Sequence, residues 1–186
     1  EITEQAKELK SGAGEKIGPI TMPSQIGIIK SHIDDAIAKG ATVVTGGSDA
    51  VGERFVQPTI MTNVPENSTE ITEETFGPTL AINPVKSMDE AVQLTNATKY
   101  GLAGAVFAKK NGMDIARRVR SGMTSVNSVV AFAAVPALQF GGVGEPGFGR
   151  IQGHDGLKEF TYTNSITRQK CKPHMILTQF PRPPKT

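Results

Sequence analysis

The sequence predicts an α/β fold, with a mostly parallel, twisted sheet flanked by helices. Between residues 79 and 127, short apolar runs alternate with segments of helical periodicity in the order strand, helix, strand, helix, strand. This order implies parallel strand pairing with helices packed on the sheet. At 186 residues the chain can bury one sizeable core and is short for two domains.

Glycine and proline mark the element boundaries in the first half of the chain. Isoleucines recur at helical spacing after Pro23, which is a favourable first helical residue, and Gly40 supplies the stop. Pro58 interrupts the second strand, which indicates an edge or a bulge. Because the first helix has no N-cap residue, we expect the natural protein to have further residues on its N-terminal side. The predicted elements are helices at 1–10 and 23–39 and strands at 41–45 and 55–61.

The second half contains a capped helix and a long irregular segment. Ser87 followed by Glu90 is a capping-box pattern, which predicts the start of a helix. From Ser128 the periodicity fails, and an apolar loop runs to about Gly156; loops of this length are usually functional or disordered. The remaining predictions are strands at 79–85, 102–108, 123–127 and 160–168, helices at 87–97 and 111–120, and a Pro-rich tail at 171–186.

Composition argues against several classes of protein. The net charge is +2 and the basic residues are scattered apart from a small cluster near the end, so no nucleic-acid partner is expected. The longest apolar run, residues 129–138, is broken by Pro136 and is too short to cross a bilayer, so no membrane association is expected. A single cysteine fits a reducing, cytoplasmic setting, and no spacing of His, Cys and carboxylates indicates a metal.

Two motifs suggest more than their context supports. Residues 142–147 satisfy G-x-G-x-x-G, but Pro146 stands where a helix would have to begin, so a closely packed glycine-rich turn is the simpler interpretation. Cys171, the only thiol, lies beside two lysines. Its segment runs into Pro173 and offers no oriented base, so we expect an incidental thiol and no nucleophile.

The most informative segment is EETFGP at residues 73–78. The Glu74 carboxylate can accept hydrogen bonds from ribose hydroxyls, and the Phe76 ring can lie against a flat heterocycle. Glu66 and Glu70, just upstream, are expected to form a solvated loop face. Taken alone, the segment leaves a nucleotide site and an ordinary surface turn equally open.

Further motifs accompany this segment along the chain. They are IGP at 17–19, FVQPT at 55–59, YGLAGAVF at 100–107, RSGMTSVN at 120–127, FGGVG at 140–144, GFGR at 147–150 and GLKEFT at 156–161. In this order they closely resemble the C-terminal, catalytic-domain part of the NAD(P)-dependent aldehyde dehydrogenase superfamily. The resemblance extends over nearly the whole chain up to about residue 170.

The resemblance implies a reaction and roles for four residues. In this superfamily a cysteine thiolate attacks an aldehyde, hydride passes to the nicotinamide of NAD or NADP, and water activated by a glutamate hydrolyses the thioester to a carboxylic acid. Glu74 would hold the nicotinamide-ribose hydroxyls, and Phe76 would pack against the nicotinamide. Phe132 and Phe140 would bind the small-molecule aldehyde. Residues 128–138 contain no Arg or Lys, which favours an uncharged substrate.

The resemblance also divides the chain. Residues 1–159 would be the catalytic-domain portion, 160–170 the oligomerisation strand of a homo-oligomer, and 171–186 a tail. No match is found for the catalytic cysteine, the general-base glutamate, the oxyanion-stabilising asparagine or the Rossmann segment, so we assign no catalytic residue and expect no activity from the chain alone. Gln139 and Pro146-Gly147 replace the usual Pro and Ser-Gly, which leaves the local loop conformation open.

A second function remains open at this point. The chain could be a non-catalytic, truncated relative that binds a partner through its interface strand and through the P-x-x-P run at residues 181–184. The two alternatives differ in the upstream coding sequence. An in-frame continuation into a cysteine-bearing segment would favour the enzyme.

Overall fold

Short strands and helices alternate through residues 1–171, which are the part of the chain that the computed structural model describes. The Pro-rich run at 181–184 lies outside these residues. Two 3-10 turns, Ser48–Ala50 and Ala131–Ala134, lie in connections between the regular elements. The helices are α1 (Ile2–Glu8), α2 (Pro23–Ala38), α3 (Thr69–Thr72), α4 (Met88–Ala97), α5 (Gly112–Ala116) and α6 (Gly153–Lys158), and the strands are β1 (Thr42–Thr45), β2 (Thr59–Thr62), β3 (Thr79–Ile82), β4 (Ala103–Val106) and β5 (Met123–Val126).

The strands form two small sheets. The first has the order β1-β2-β3, with β1 antiparallel and β3 parallel to β2, and the second consists of the parallel pair β4-β5. Two of the three pairings are therefore parallel, and the predicted α/β class is confirmed. The expectation of one continuous sheet is wrong within residues 1–171, because no hydrogen-bonded ladder joins β3 to β4.

Both parallel pairs end in the same way. Asn83, directly after β3, accepts a hydrogen bond from the Val64 N–H and donates one to the Val64 carbonyl, at 2.8 and 2.7 Å. Asn127, directly after β5, makes the equivalent pair with Ala108, at 2.9 and 3.1 Å. In each sheet the amide supplies one donor and one acceptor, which adds a further rung beyond a four-residue strand.

The core lies between α2 and the first sheet. Ile29, Ile33 and Ala36 form the buried face of α2, because positions three and four apart share one side of a helix. They pack with Val56 and Met61, on the segment that leads into and forms β2. The helix is therefore as predicted, with Pro23 in its first turn.

Several elements differ from the sequence predictions. The helix predicted at 111–120 ends at Ala116, and the strand predicted at 79–85 ends at Ile82. The second strand begins at Thr59 and not at Phe55, because Pro58 has no N–H to donate to a ladder. The loop after Ser128 contains a 3-10 turn and α6, so it is not wholly irregular. The strand predicted at 160–168 is not formed within the described chain, because these residues pair with no other segment there.

An ion pair connects the parts of the chain that carry the two sheets. The Lys99 ammonium, between α4 and β4, lies 2.7 Å from a carboxylate oxygen of Glu73, just before β3. The Tyr100 hydroxyl donates to the same oxygen at 3.4 Å. The hydrogen bond from Lys99 lowers the pKa of Glu73, and the hydrogen bond to Glu73 raises the pKa of Lys99.

These shifts predict that the pair stabilises the fold most at neutral pH. The lowered pKa of Glu73 gives a contribution that is present above the ordinary value of 4.5 and is lost in acid. The raised pKa of Lys99 gives a contribution to stability that is present below its ordinary value of 10.5 and is lost in alkali. The free energy of unfolding of the wild type, measured in urea, should therefore exceed that of Glu73→Gln at neutral pH. The difference between the two proteins should shrink in acid.

Glu53→Gln is the matched control, because Glu53 is exposed and forms no ion pair among the described residues. The difference in free energy of unfolding between Glu53→Gln and the wild type should vary little with pH. An equal difference between wild type and Glu73→Gln in acid and at neutral pH would contradict the assignment.

Candidate functional site

Residues 73–78, here called the acidic-aromatic loop, lie between α3 and β3. At the end of the loop the Pro78 carbonyl accepts a hydrogen bond from the Thr59 N–H at 2.9 Å, which continues the β2-β3 pairing. Gly77 crosses α2 so closely that a β-carbon there would lie 2.8 Å from Ile29 Cδ1. The loop therefore rests directly on the core helix, and glycine is required for that approach.

Thr75, in the middle of the loop, is the residue that anchors it. Its side chain is only 8% exposed. The hydroxyl donates to the Glu70 carboxylate at 3.1 Å and lies 3.0 Å from Nδ1 of the buried His32. The Thr75 carbonyl accepts a hydrogen bond from the Gln25 amide at 2.7 Å. Two residues of α2 and one of α3 thus hold both the backbone and the side chain of Thr75.

Glu74 and Phe76 flank this anchor and face solvent. Phe76 has a φ of 45°, in the left-handed region that bulky residues rarely adopt, and its side chain is 72% exposed. Glu74 is exposed and forms no hydrogen bond or ion pair with the residues at positions 1–171. The loop therefore presents a free carboxylate and a free ring on either side of a fixed residue, which fits the ribose and the base of a nucleotide.

A shallow pocket adjoins the ring. It has a volume of about 400 Å³ and is lined by Phe76 and by the segment from Pro19 to Met22 together with Gln25. Its walls are mainly apolar side chains, with the Gln25 amide at one side. The exposed ring of Phe76 therefore borders a concave, mainly apolar surface.

Phe132 and Phe140 form the second pair of predicted site residues. Their ring centroids lie 6.3 Å apart with the planes inclined at 59°, a favourable tilted geometry. Phe132 is 8% exposed, so much of its ring surface is used by contacts within the chain. The neighbouring side chains Val129, Val130 and Leu138 are exposed. They form the apolar surface that the sequence analysis expects of this loop.

Two rejected motifs occupy positions that suit their simpler interpretations. Residues 142–147 lie in an irregular turn with no strand directly before them, and the next helix begins only at Gly153. A β-carbon on Gly142 would lie 2.7 Å from Pro146 Cβ, so close packing accounts for this glycine. Cys171 is exposed at the end of the described residues.

His32, Gln25 and Thr75 belong to the site but are not among the residues predicted from the sequence. His32 and Gln25 lie 43 and 50 residues from Thr75, and no local pattern connects residues so far apart. The only local signal for Thr75 was its position between Glu74 and Phe76, the two predicted cofactor-binding residues. Glu70 was expected to be solvated, but it is half-buried and its carboxylate accepts a hydrogen bond from the Thr75 hydroxyl.

Residues 1–171 were compared with the requirements of a membrane-spanning helix and of a metal-binding cluster, and they meet neither. No helix in this part of the chain is long and apolar enough to cross a membrane. Within positions 1–171, no group of three or more His, Cys, Asp or Glu side chains could hold a metal ion.

Comparison with known proteins agrees with the motifs. The chain is 39% identical over 155 residues to a putative succinate-semialdehyde dehydrogenase [NADP(+)] 2 of Mycobacterium tuberculosis, which covers 81% of this chain and 30% of the relative. It is 40% identical over 162 residues to the succinate-semialdehyde dehydrogenase [NADP(+)] of Deinococcus radiodurans, with 83% and 34% covered. The chain thus spans about a third of these relatives.

Solved structures give the same result. An aldehyde dehydrogenase of Mycobacterium tuberculosis with NAD+ matches with a TM-score of 0.77 and 33% identity, over 87% of this chain and 35% of that one. Betaine aldehyde dehydrogenase of Staphylococcus aureus with NAD+ matches with a TM-score of 0.75 and 32% identity, over 86% and 33%. The aldehyde dehydrogenase family matches residues 1–166. The chain therefore belongs to the aldehyde dehydrogenase family.

Proposed function

We propose that this chain is the C-terminal portion of the catalytic domain of an NAD(P)-dependent aldehyde dehydrogenase that oxidises an aldehyde to a carboxylic acid in the cytoplasm. The observation that carries the proposal is the acidic-aromatic loop, where the unpaired Glu74 carboxylate and the exposed Phe76 ring flank the buried Thr75. Relatives named for NADP(+) and structures that contain NAD+ support a nicotinamide cofactor of either kind.

The role of the loop is to position the cofactor. The hydride acceptor of the reaction is supplied by bound NAD(P)+. Glu74 accepts hydrogen bonds from the nicotinamide-ribose hydroxyls, and Phe76 packs against the nicotinamide side. Holding the acceptor at a fixed distance and angle removes an entropic part of the barrier to hydride transfer. We assign no nucleophile to this chain, because its single thiol, Cys171, is exposed and forms no side-chain hydrogen bond with a base among residues 1–171.

Replacing Glu74 by alanine in the complete polypeptide that carries this sequence tests the cofactor role. Loss of hydrogen bonds to a charged acceptor should lower kcat/KM for NAD(P)+ by about 10- to 100-fold. The melting temperature should stay near that of the wild type, because the carboxylate has no partner within residues 1–171.

Glu53→Ala is the control, since Glu53 is an exposed glutamate in a different loop. It should leave kcat/KM unchanged. The 186-residue chain assayed alone should give no cofactor-dependent turnover, which sets the baseline. Equal kcat/KM values for Glu74→Ala, Glu53→Ala and the wild type would refute the cofactor role of the loop.

For the substrate we propose an uncharged aliphatic or aromatic aldehyde, bound against the apolar loop that contains Phe132 and Phe140. Residues 128–138 contain no cation. Arg150 is the next cation along the chain, and its guanidinium donates to the carbonyls of Gly142, Phe148 and Gly149 at 2.9 to 3.0 Å. A buried substrate carboxylate would need a free cation.

Specificity kinetics on the complete polypeptide decide between this class and an anionic semialdehyde, which the names of the relatives suggest. We expect kcat/KM for benzaldehyde or hexanal to exceed that for succinic semialdehyde by at least about tenfold. The reverse order would favour a semialdehyde dehydrogenase, whose carboxylate-binding cation would then have to come from outside residues 128–138.

We further propose that residues 160–168 pair with a second copy of the chain as an interface strand. Phe160, Tyr162 and Ile166 are 84% to 89% exposed, and they alternate with polar residues in the pattern of a strand with one apolar face. This segment forms no strand within the described chain. The N–H groups of Phe160 and Thr161 donate to the carbonyls of Leu157 and Lys158, and the backbone groups of residues 162–168 form no hydrogen bond within residues 1–171, so these are available for pairing.

Light scattering on the 186-residue chain tests this interface. The wild type should form dimers or larger species, and Ile166→Glu should shift the mass towards the monomer by placing a charge on the apolar face. Thr167→Glu introduces the same charge on the opposite face, because adjacent residues in a strand point to opposite sides, and it should leave the mass unchanged. A monomeric wild type would contradict the proposal.

A further inference from the structure

We propose that Thr75 is a positioning residue for the cofactor loop, and that its hydrogen bonds to Glu70, His32 and Gln25 set the orientation of Glu74 and Phe76. This inference rests on the cofactor role proposed above for the acidic-aromatic loop. It adds a residue that need not touch the cofactor, together with the neighbours through which it acts.

The hydrogen bonds of Thr75 have one consistent direction. A threonine hydroxyl has a single proton, and the Glu70 carboxylate accepts it. His32 Nδ1, 3.0 Å away on the other side, must therefore carry the proton that it donates to the same hydroxyl oxygen. The chain of donors runs from His32 through Thr75 to Glu70. The two partners of the hydroxyl restrict the rotation of the threonine side chain, which is already stiff because it is branched at Cβ.

The backbone of Thr75 is fixed as well. Its carbonyl accepts the Gln25 amide at 2.7 Å, from the first turns of α2. With the side chain and the carbonyl both held, the peptide plane between Thr75 and Phe76 has little freedom to rotate. That plane sets the direction in which the next side chain leaves the loop.

Phe76 depends on this restraint, because its backbone lies in an unfavourable region. A φ of 45° is rare for an aromatic residue and persists only where the neighbouring structure requires it. On one side stands the anchored Thr75. On the other, Gly77 lies against Ile29, where a β-carbon would come within 2.8 Å. Held at both ends, the loop keeps the ring exposed and does not relax onto the surface.

A buried polar network is an uncommon choice for a turn that only needs to be stable. Valine has nearly the shape of threonine but is not equivalent to it here, because the buried His32 would lose its hydrogen-bond partner. Satisfied polar networks instead select one geometry, because other arrangements leave a buried donor or acceptor unpaired. By selecting one geometry of the loop, the network fixes the orientation of Glu74 and Phe76.

The first experiment compares Thr75→Val with Thr75→Ser in the complete polypeptide. Valine removes the hydroxyl and should raise KM for NAD(P)+ by about tenfold or more, because the loop samples other orientations. Serine retains the hydroxyl and should stay within about twofold of the wild type. Unchanged KM in Thr75→Val would overturn the inference.

A mutant cycle separates positioning from simple stability. If Thr75 acts through Glu74 and Phe76, Thr75→Val should raise KM for NAD(P)+ by no more than about twofold in a background in which both Glu74 and Phe76 are replaced by alanine. If the effects of the substitutions on KM are additive, Thr75 has a merely structural role. That result would overturn the inference about Thr75 and leave the proposed function standing. A Glu74→Ala variant with unchanged KM would instead overturn the proposed function, and the inference with it.

Gln25→Met provides a test that leaves the hydrogen bonds of the Thr75 hydroxyl to Glu70 and His32 in place. Methionine keeps the length of the side chain, lacks the donor to the Thr75 carbonyl, and lies on a partly exposed turn of α2. It should raise KM for NAD(P)+ in the same direction as Thr75→Val, whereas Ser24→Ala, at an exposed position next to it, should not. If Thr75→Val does not fold, an unchanged KM in Gln25→Met overturns the inference.

Discussion

The contact between α2 and the acidic-aromatic loop is the constraint on which the rest of the site depends. Ile29 is fully buried, belongs to the core that α2 forms with the first sheet, and lies directly under Gly77. One turn further along the helix, His32 reaches the loop at Thr75. Core packing and loop geometry are therefore set by the same helical face, and a shift of α2 would change both.

The parallel strand pairs show how such short strands are held in register. In each parallel pair, an asparagine directly after the later strand bonds to the residue two positions beyond the end of the earlier strand. Asn83, after β3, bonds to Val64, beyond β2, and Asn127, after β5, bonds to Ala108, beyond β4. The backbone ladder of four residues would offer few hydrogen bonds by itself. The amides extend it at the carboxyl ends of the strands, which is the edge where α/β proteins usually place their ligands.

Sequence reasoning succeeded where the determining interactions are local. The helix start predicted at Ser87 is present, since the Ser87 hydroxyl accepts the Glu90 N–H at 3.1 Å. The reciprocal bond of a capping box is shifted by one residue, because the Glu90 carboxylate accepts the N–H of Lys86 and not that of Ser87, at 2.6 Å. It failed where a partner distant in sequence decides the outcome. The division into two sheets depends on pairings that no periodicity specifies, and the function of His32 depends on a residue 43 positions away.

The two surfaces assigned to function differ in how far they depend on other chain segments. The contacts described for the acidic-aromatic loop come from residues between Gln25 and Tyr100, including the ion pair of Glu73 with Lys99, so they all lie within this third of the relatives' length. Such a loop need not be ordered when a ligand binds, which lowers the entropic cost of binding. Residues 160–168 are the opposite case. Their sequence has the alternation of a strand, but a strand exists only with a partner, and the described chain supplies none.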